Sequence, residues 1–171
     1  MHKDIIARFD NKIRELEEKL PKLEDDVNCA ALTLTNITEI LGISNFYFHN
    51  LAVPLAGGFG GFKSTNNWKG PCGAICGGCA AIGIILGGKR KLKYSEYLEV
   101  FQTTAKFVHY FEKEFNSTTC QELCGIEFSD INSVNEYRNN KVWENKCYKY
   151  VIFAIEKVKE LTNSDLKKKW K

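Results

Sequence analysis

Seven cysteines, at positions 29, 72, 76, 79, 120, 124 and 147, are the residues of this chain best suited to chemistry. Cysteine acts as a nucleophile or soft-metal ligand when it is a thiolate. A helix N-terminus favours that form by setting partial positive charge and free N–H groups beside the sulfur. Four of the seven stand where the local sequence signals a helix start. Pro71 suits a first helical position after Gly70 and would put Cys72 in the first turn. Thr119 and Glu122 have the spacing of a capping box, which sets Cys120 at the head of a helix that Gly125 would stop. Asn28 before Cys29 and Asn145 before Cys147 are weaker versions of the same pattern. Cys29, Cys72, Cys120 and Cys147 therefore read as four thiolates held by helix starts from distant parts of the chain. That is how a helical protein could assemble a four-thiolate site.

The other three cysteines, Cys76, Cys79 and Cys124, lie at helical spacing from members of that set and read as an additional ligand or a resolving thiol. Cys72, Cys76 and Cys79 share one helical face. Two turns separate the outer two, about 10 Å of rise, too far for one small cluster unless the helix unwinds. Only Cys76 and Cys79 have the spacing of a zinc knuckle, which keeps zinc as a secondary expectation. No Cys-x-x-Cys-His run indicates covalent haem, and Gly57–Phe62 lacks the spacing of a phosphate loop. His2, His49 and His109 are isolated and are not expected as ligands.

The elements that would position these thiols are helical. Ile5, Ile6, Phe9, Ile13, Leu16 and Leu20 recur at helical spacing up to Pro21, and a second helical pattern runs from about Leu23 to Leu41 with Gly42 as its stop. Phe46–Phe62 reads as a short helix and a tight glycine loop. Gly70–Gly88 carries no charge and reads as a central helix buried on all sides, with Gly73, Gly77 and Gly83 allowing close backbone approach. A long amphipathic helix follows over Tyr94–Phe115, its aromatic stripe assigned to the core. The last helix is expected over about Asn145–Leu161, and no segment alternates with period two. The expected fold is all-α, a single-domain irregular helical bundle. Its divisions are an amphipathic helical extension at 1–20, a cysteine-containing domain at 21–163 and a basic tail at 164–171.

At 171 residues, 44% hydrophobic and 26% charged, the chain can bury an ordinary core without metal. A net charge of +3 is too small for a nucleic-acid footprint, and the glycine-rich apolar run is a poor membrane span. The charged opening residues lack a signal-peptide core, so a cytoplasmic location is expected, where free thiols outlast disulfides.

At these cysteines the chain resembles a bacterial and archaeal family of redox-active proteins named for a C…GCAxxG…C…C pattern. The resemblance rests on Asn28-Cys29-Ala30, the Gly57–Phe62 loop, Cys72-Gly73-Ala74-Ile75-Cys76-Gly77, Phe111–Phe115 leading to Cys120, and Cys147, over about residues 27–160. A second register, Gly78-Cys79-Ala80-Ala81-Ile82-Gly83, also spells the motif; the proline and glycine loop before Cys72 favour the first. The resemblance implies the family four at Cys29, Cys72, Cys120 and Cys147. It also implies a redox role beside an oxidoreductase or transport system, mostly in anaerobes. The reading that follows is electron transfer or redox sensing through an iron–sulfur cluster, 2Fe–2S preferred to 4Fe–4S, rather than an enzyme with its own substrate. The alternatives are a metal-free dithiol–disulfide protein and a zinc or soft-metal module. The amphipathic first helix could pair chains into a homo-oligomer.

Overall fold

The computed structural model describes residues 4–25, 27–128 and 131–170. His2 lies outside them. Among the described residues there is no β-strand, and helices follow one another from end to end. Helix α1 (Ile5–Lys19) buries Ile5, Phe9, Ile13 and Leu16, and a 3-10 turn at Leu20–Lys22 carries Pro21. Those residues lie one or more whole turns apart, so the apolar stripe is laid against α9 (Tyr148–Lys169) and α2 (Cys29–Leu41) of the same chain.

Helix α2 (Cys29–Leu41) starts later than the sequence pattern, because Asn28 caps it. Its Oδ1 accepts from the Ala31 N–H at 2.9 Å, and residues 27 and 28 stay outside the helix. Gly42 ends it in the left-handed conformation at φ 76°. After α3 (Phe46–Ala52) comes α4 (Gly57–Gly61), a helical turn of the opposite hand with φ between 62° and 78° at all five residues. Four glycines permit this, since a Cβ penalises it elsewhere. Gly70 packs backbone to backbone against the turn, where a Cβ would overlap the Gly58 carbonyl. The left-handed turn thus fixes the segment that leads into Cys72.

Helix α5 (Gly73–Gly87) is the centre of the molecule, lying against α2, α9 and α6 (Tyr97–Phe115). At Gly77 an added Cβ would stand 2.5 Å from the Ala30 carbonyl, and at Gly78 2.5 Å from Phe107. Gly73 is also tight, 3.0 Å from the Ala30 nitrogen, whereas at Gly83 a Cβ would meet nothing within 4 Å. Gly83 is therefore no close-packing position. Cys76, Cys79, Ala80, Gly83 and Ile84 are half-buried, so α5 is not enclosed on every side.

Two more expectations change. The aromatic stripe of α6 is core only in its second half: Phe107 and Phe111 are fully buried, but Leu98 and Phe101 are about two-thirds exposed at 64% and 65%. The segment expected as an Asp, Asn and Ser loop forms α8 (Ile131–Asn139) after the short α7 (Cys120–Cys124). The final helix α9 (Tyr148–Lys169) runs through most of residues 164–171, with Leu166 and Trp170 buried and the Trp170 indole donating to Ile85 O at 3.1 Å. No helix among the described residues is long and apolar enough to cross a membrane.

Candidate functional site

Backbone pairing, more than helix starts alone, brings the thiols together. The Cys72 N–H donates to Thr118 O at 2.8 Å and the Cys120 N–H donates to Gly70 O at 3.1 Å. This antiparallel bridge between Pro71 and Thr119 ties the heads of α5 and α7 side by side. It also holds Pro71 and Cys72 extended, with Cys72 at ψ 136°, so Cys72 is the cap residue and α5 begins at Gly73. Pro71 is not the first helical residue.

Cys120 heads α7 as expected. Thr119 Oγ1 accepts the Glu122 N–H at 3.4 Å, and Gly125 ends the turn at φ 80°. The capping box closes on one side only: the Thr119 N–H goes to Ser117 Oγ at 3.1 Å, and the Glu122 carboxylate takes the Ser117 hydroxyl at 2.7 Å. Cys147 departs furthest from expectation. It closes a π-helical turn, Trp143–Cys147, that runs unbroken into α9, so it is inside a helical segment instead of at its head. Trp143 explains the turn: its buried indole N–H reaches back to Leu20 O at 2.6 Å, anchoring the turn to the end of α1. Such wide turns often mark functional positions.

The sulfurs fall into two pairs with Cys72 among them. Cys29, first residue of α2, faces Cys147, and Cys120 faces Cys124 one helical turn on. Within each pair the two sulfurs are shifted in opposite directions, one toward the thiol and the other toward the thiolate. The Cys29 thiol beside Cys147, together with the Tyr137 hydroxyl, draws Cys147 below the usual thiol range against the opposing effect of burial. The same interaction with Cys147, then burial, then the charges of Cys72 and Cys120 push Cys29 well up. In the second pair, the Cys120 thiol and the Ile126 N–H, which donates to Cys124 Sγ at 3.3 Å, bring Cys124 down to about 7. Cys120 is driven up by its neighbour Cys124 and by burial.

Cys72 feels the charge of Cys147 but is pushed up to about 12, chiefly by burial, although its sulfur accepts from the Ala74 and Ile75 backbone. Burial outweighs the helix start here. Cys76 and Cys79 run along the half-buried face of α5 and are raised to about 11 and about 12 by burial. Cys76 adds its charge to both Cys72 and Cys79. His49 and His109 are exposed.

Tyr137 was not marked by the sequence reading. It stands on α8, its ring 5.3 Å from that of Phe128, and its own hydroxyl is pushed far up by burial and by the charges of Cys147 and Cys29. Tyr150 was also missed. Its hydroxyl donates to Leu123 O at 3.1 Å, pinning α7 to α9.

Thiolate sulfur is a soft donor that suits iron–sulfur or zinc. Among the described residues, however, no three or more His, Cys, Asp or Glu side chains are arranged to hold one metal ion. The side-chain contacts link the sulfurs in pairs, Cys29 with Cys147 and Cys120 with Cys124.

The site is thus that of an all-helical thiol protein with seven cysteines linked electrostatically across four chain segments. Residues 27–161 match the family described as "Putative redox-active protein (C_GCAxxG_C_C)", and the chain belongs to that family. The helix α1 lies ahead of the matched residues. No curated protein and no solved structure matches the chain.

Proposed function

We propose that this protein is a dithiol–disulfide redox carrier working through Cys29 and Cys147. The observation behind this is the pair itself, two facing sulfurs of which Cys147 is drawn toward the thiolate by the Cys29 thiol and the Tyr137 hydroxyl. Such a pair is the reduced half of a redox couple. In its oxidised state a partner dithiol is the reductant. A partner thiolate attacks the sulfur of Cys29, the half-buried member, and the Cys29–Cys147 bond breaks with Cys147 leaving as thiolate. A sulfur of depressed pKa leaves faster. The partner's second thiolate then attacks its own sulfur in the mixed disulfide and releases Cys29, which takes up a proton. The partner has lost two electrons and two protons. One proton is kept by Cys29 and the other passes to solvent.

A second reading has a specific observation in its favour. The charges of Cys72, Cys120 and Cys147 all act on Cys29, so the family four reach one another and could close around an iron–sulfur cluster, 2Fe–2S in preference to 4Fe–4S. Anaerobic purification with iron and sulfide analysis, followed by disulfide mapping across a redox titration, separates the two. A colourless protein with a reversible Cys29–Cys147 disulfide, retained in Cys72→Ser, supports the dithiol carrier. A brown protein that loses its colour in Cys72→Ser overturns it. The partner is a redox protein of either an oxidoreductase or a transport system, as the family resemblance implies.

A further inference from the structure

We infer that Cys120 and Cys124 form a second redox couple, built within one helical turn and separate from Cys29 and Cys147. Cys124 lies outside the family's cysteine pattern, so the couple is a feature of this chain's own sequence. It extends the proposed function but does not require it.

The turn is constructed around the Cys124 sulfur. Residues four apart on a helix stand side by side with Cα atoms within the span of an S–S bond, and their Cβ atoms, about 5–6 Å apart, must close to about 3.5–4.5 Å, so forming the bond tightens this short turn. Gly125 then bends the chain at φ 80°, a conformation that L side chains rarely adopt, and this bend returns the Ile126 N–H to Cys124 Sγ at 3.3 Å. In the thiol form the same sulfur can donate to Ile126 O at 3.4 Å. Both protonation states are thereby provided with a partner. The Tyr150 hydroxyl on Leu123 O holds the middle of the turn against α9. Cys124 is buried and Cys120 half-buried, so the pair has an outer and an inner sulfur.

Access comes from the outer side. Of the two sulfurs, the half-buried Cys120 is the one an incoming thiol reaches first. Its thiolate attacks the Cys120 sulfur of the disulfide, the S–S bond breaks, and Cys124 leaves as a thiolate onto the Ile126 N–H. A second thiolate from the reductant displaces Cys120, which takes up a proton, and the reductant becomes the disulfide.

The test uses the full chain equilibrated in graded mixtures of oxidised and reduced dithiothreitol, acid-quenched and alkylated. Cleavage after glutamate then parts the two cysteines, because Glu122 lies between them and leaves Cys120 in 115–122 and Cys124 in 123–127. The expected result is that these fragments stay joined under oxidising mixtures and separate under reducing ones. The bond should persist in Cys29→Ser and Cys147→Ser, its midpoint moved only by loss of the Cys147 charge that acts on Cys120. Gly125→Ala should move the midpoint toward more reducing mixtures by weakening the bond that favours the thiolate. Fragments that separate at every ratio, or Cys120 joined to a fragment other than 123–127, would overturn the inference. A midpoint that vanishes in Cys29→Ser would do so too. Loss of the Cys29–Cys147 bond alone would instead count against the proposed function and leave this couple standing.

Discussion

The two thiol pairs reach the same electrostatic arrangement by opposite routes. Cys120 and Cys124 meet through five residues of local sequence, with Thr119 at one end and Gly125 at the other. Cys29 and Cys147 meet only after α2, the π-helical turn and α8 have packed, with Asn28, Trp143 and Tyr137 each supplied by a different segment. A local pair survives whatever leaves one turn intact. A long-range pair reports on the whole core.

That contrast can be broken most strongly at Gly77. Gly77→Leu drives a side chain into the Ala30 carbonyl and Thr33, parting α2 from α5. Overpacking typically costs about 1–3 kcal/mol, and more is expected where backbone blocks relaxation. The Cys29–Cys147 disulfide should then fail to form on oxidation while the 115–122 and 123–127 fragments still join. Thermal unfolding by circular dichroism measures the loss, and Gly83→Leu, facing open space, is the control. Equal loss of both pairs would show that the local pair is not local.

The pH dependence sharpens the comparison next. Cys124 is brought down to about 7 by the Cys120 thiol and the Ile126 N–H, so it is mostly thiolate above that pH and thiol below. Its alkylation rate should be near its plateau at pH 8 and fall about tenfold per unit well below 7, since the thiolate is the nucleophile. Mass mapping of iodoacetamide labelling reads this in the fully reduced protein. Cys120, driven up, should label slowly throughout. Faster labelling at Cys120 would reverse the roles within the pair.

Tyr137→Phe should touch only the long-range pair. Hydrogen bonds to charged groups contribute about 1.5–3 kcal/mol, so losing this one raises Cys147 toward the ordinary thiol range and slows its alkylation at pH 7. The Cys124 rate should stay unchanged. The smallest effect is expected at Asn28→Ala, which removes the cap of α2 and costs about 0.5–2 kcal/mol of stability. A lower unfolding midpoint in urea, with both pairs still oxidisable, is the expected outcome.

Local signals in the sequence proved legible where structure is made locally. The amphipathic stripe of α1, the caps at Asn28 and Thr119, and the left-handed stops at Gly42 and Gly125 all follow from residue type and spacing. What was not legible depends on contacts between distant residues. The π-helical turn exists because Trp143 reaches Leu20, and no periodicity within 143–147 announces that bond. Cys72 is a cap because residues near 118 pair with its backbone. The stripe of α6 is exposed in its first half because Phe107 and Phe111 meet α5, α9 and the core while Leu98 and Phe101 extend past them. Helix-start signals placed Cys29 and Cys120 at helix heads for a sound reason, whereas Cys72 caps α5 instead of lying in its first turn after Pro71. Cys147 is held for a different reason, and Tyr137 carried no pattern at all.

The bridge between the heads of α5 and α7 has a consequence in hydrogen exchange. Each of its two amide protons belongs to a cysteine of the site, Cys72 and Cys120, and each is capped by a carbonyl of the opposite segment. One separation of the segments uncovers both, so their deuterium uptake should share a single opening rate although 48 positions divide them. The two amides are therefore a built-in clock for how often the sulfurs of this site come apart.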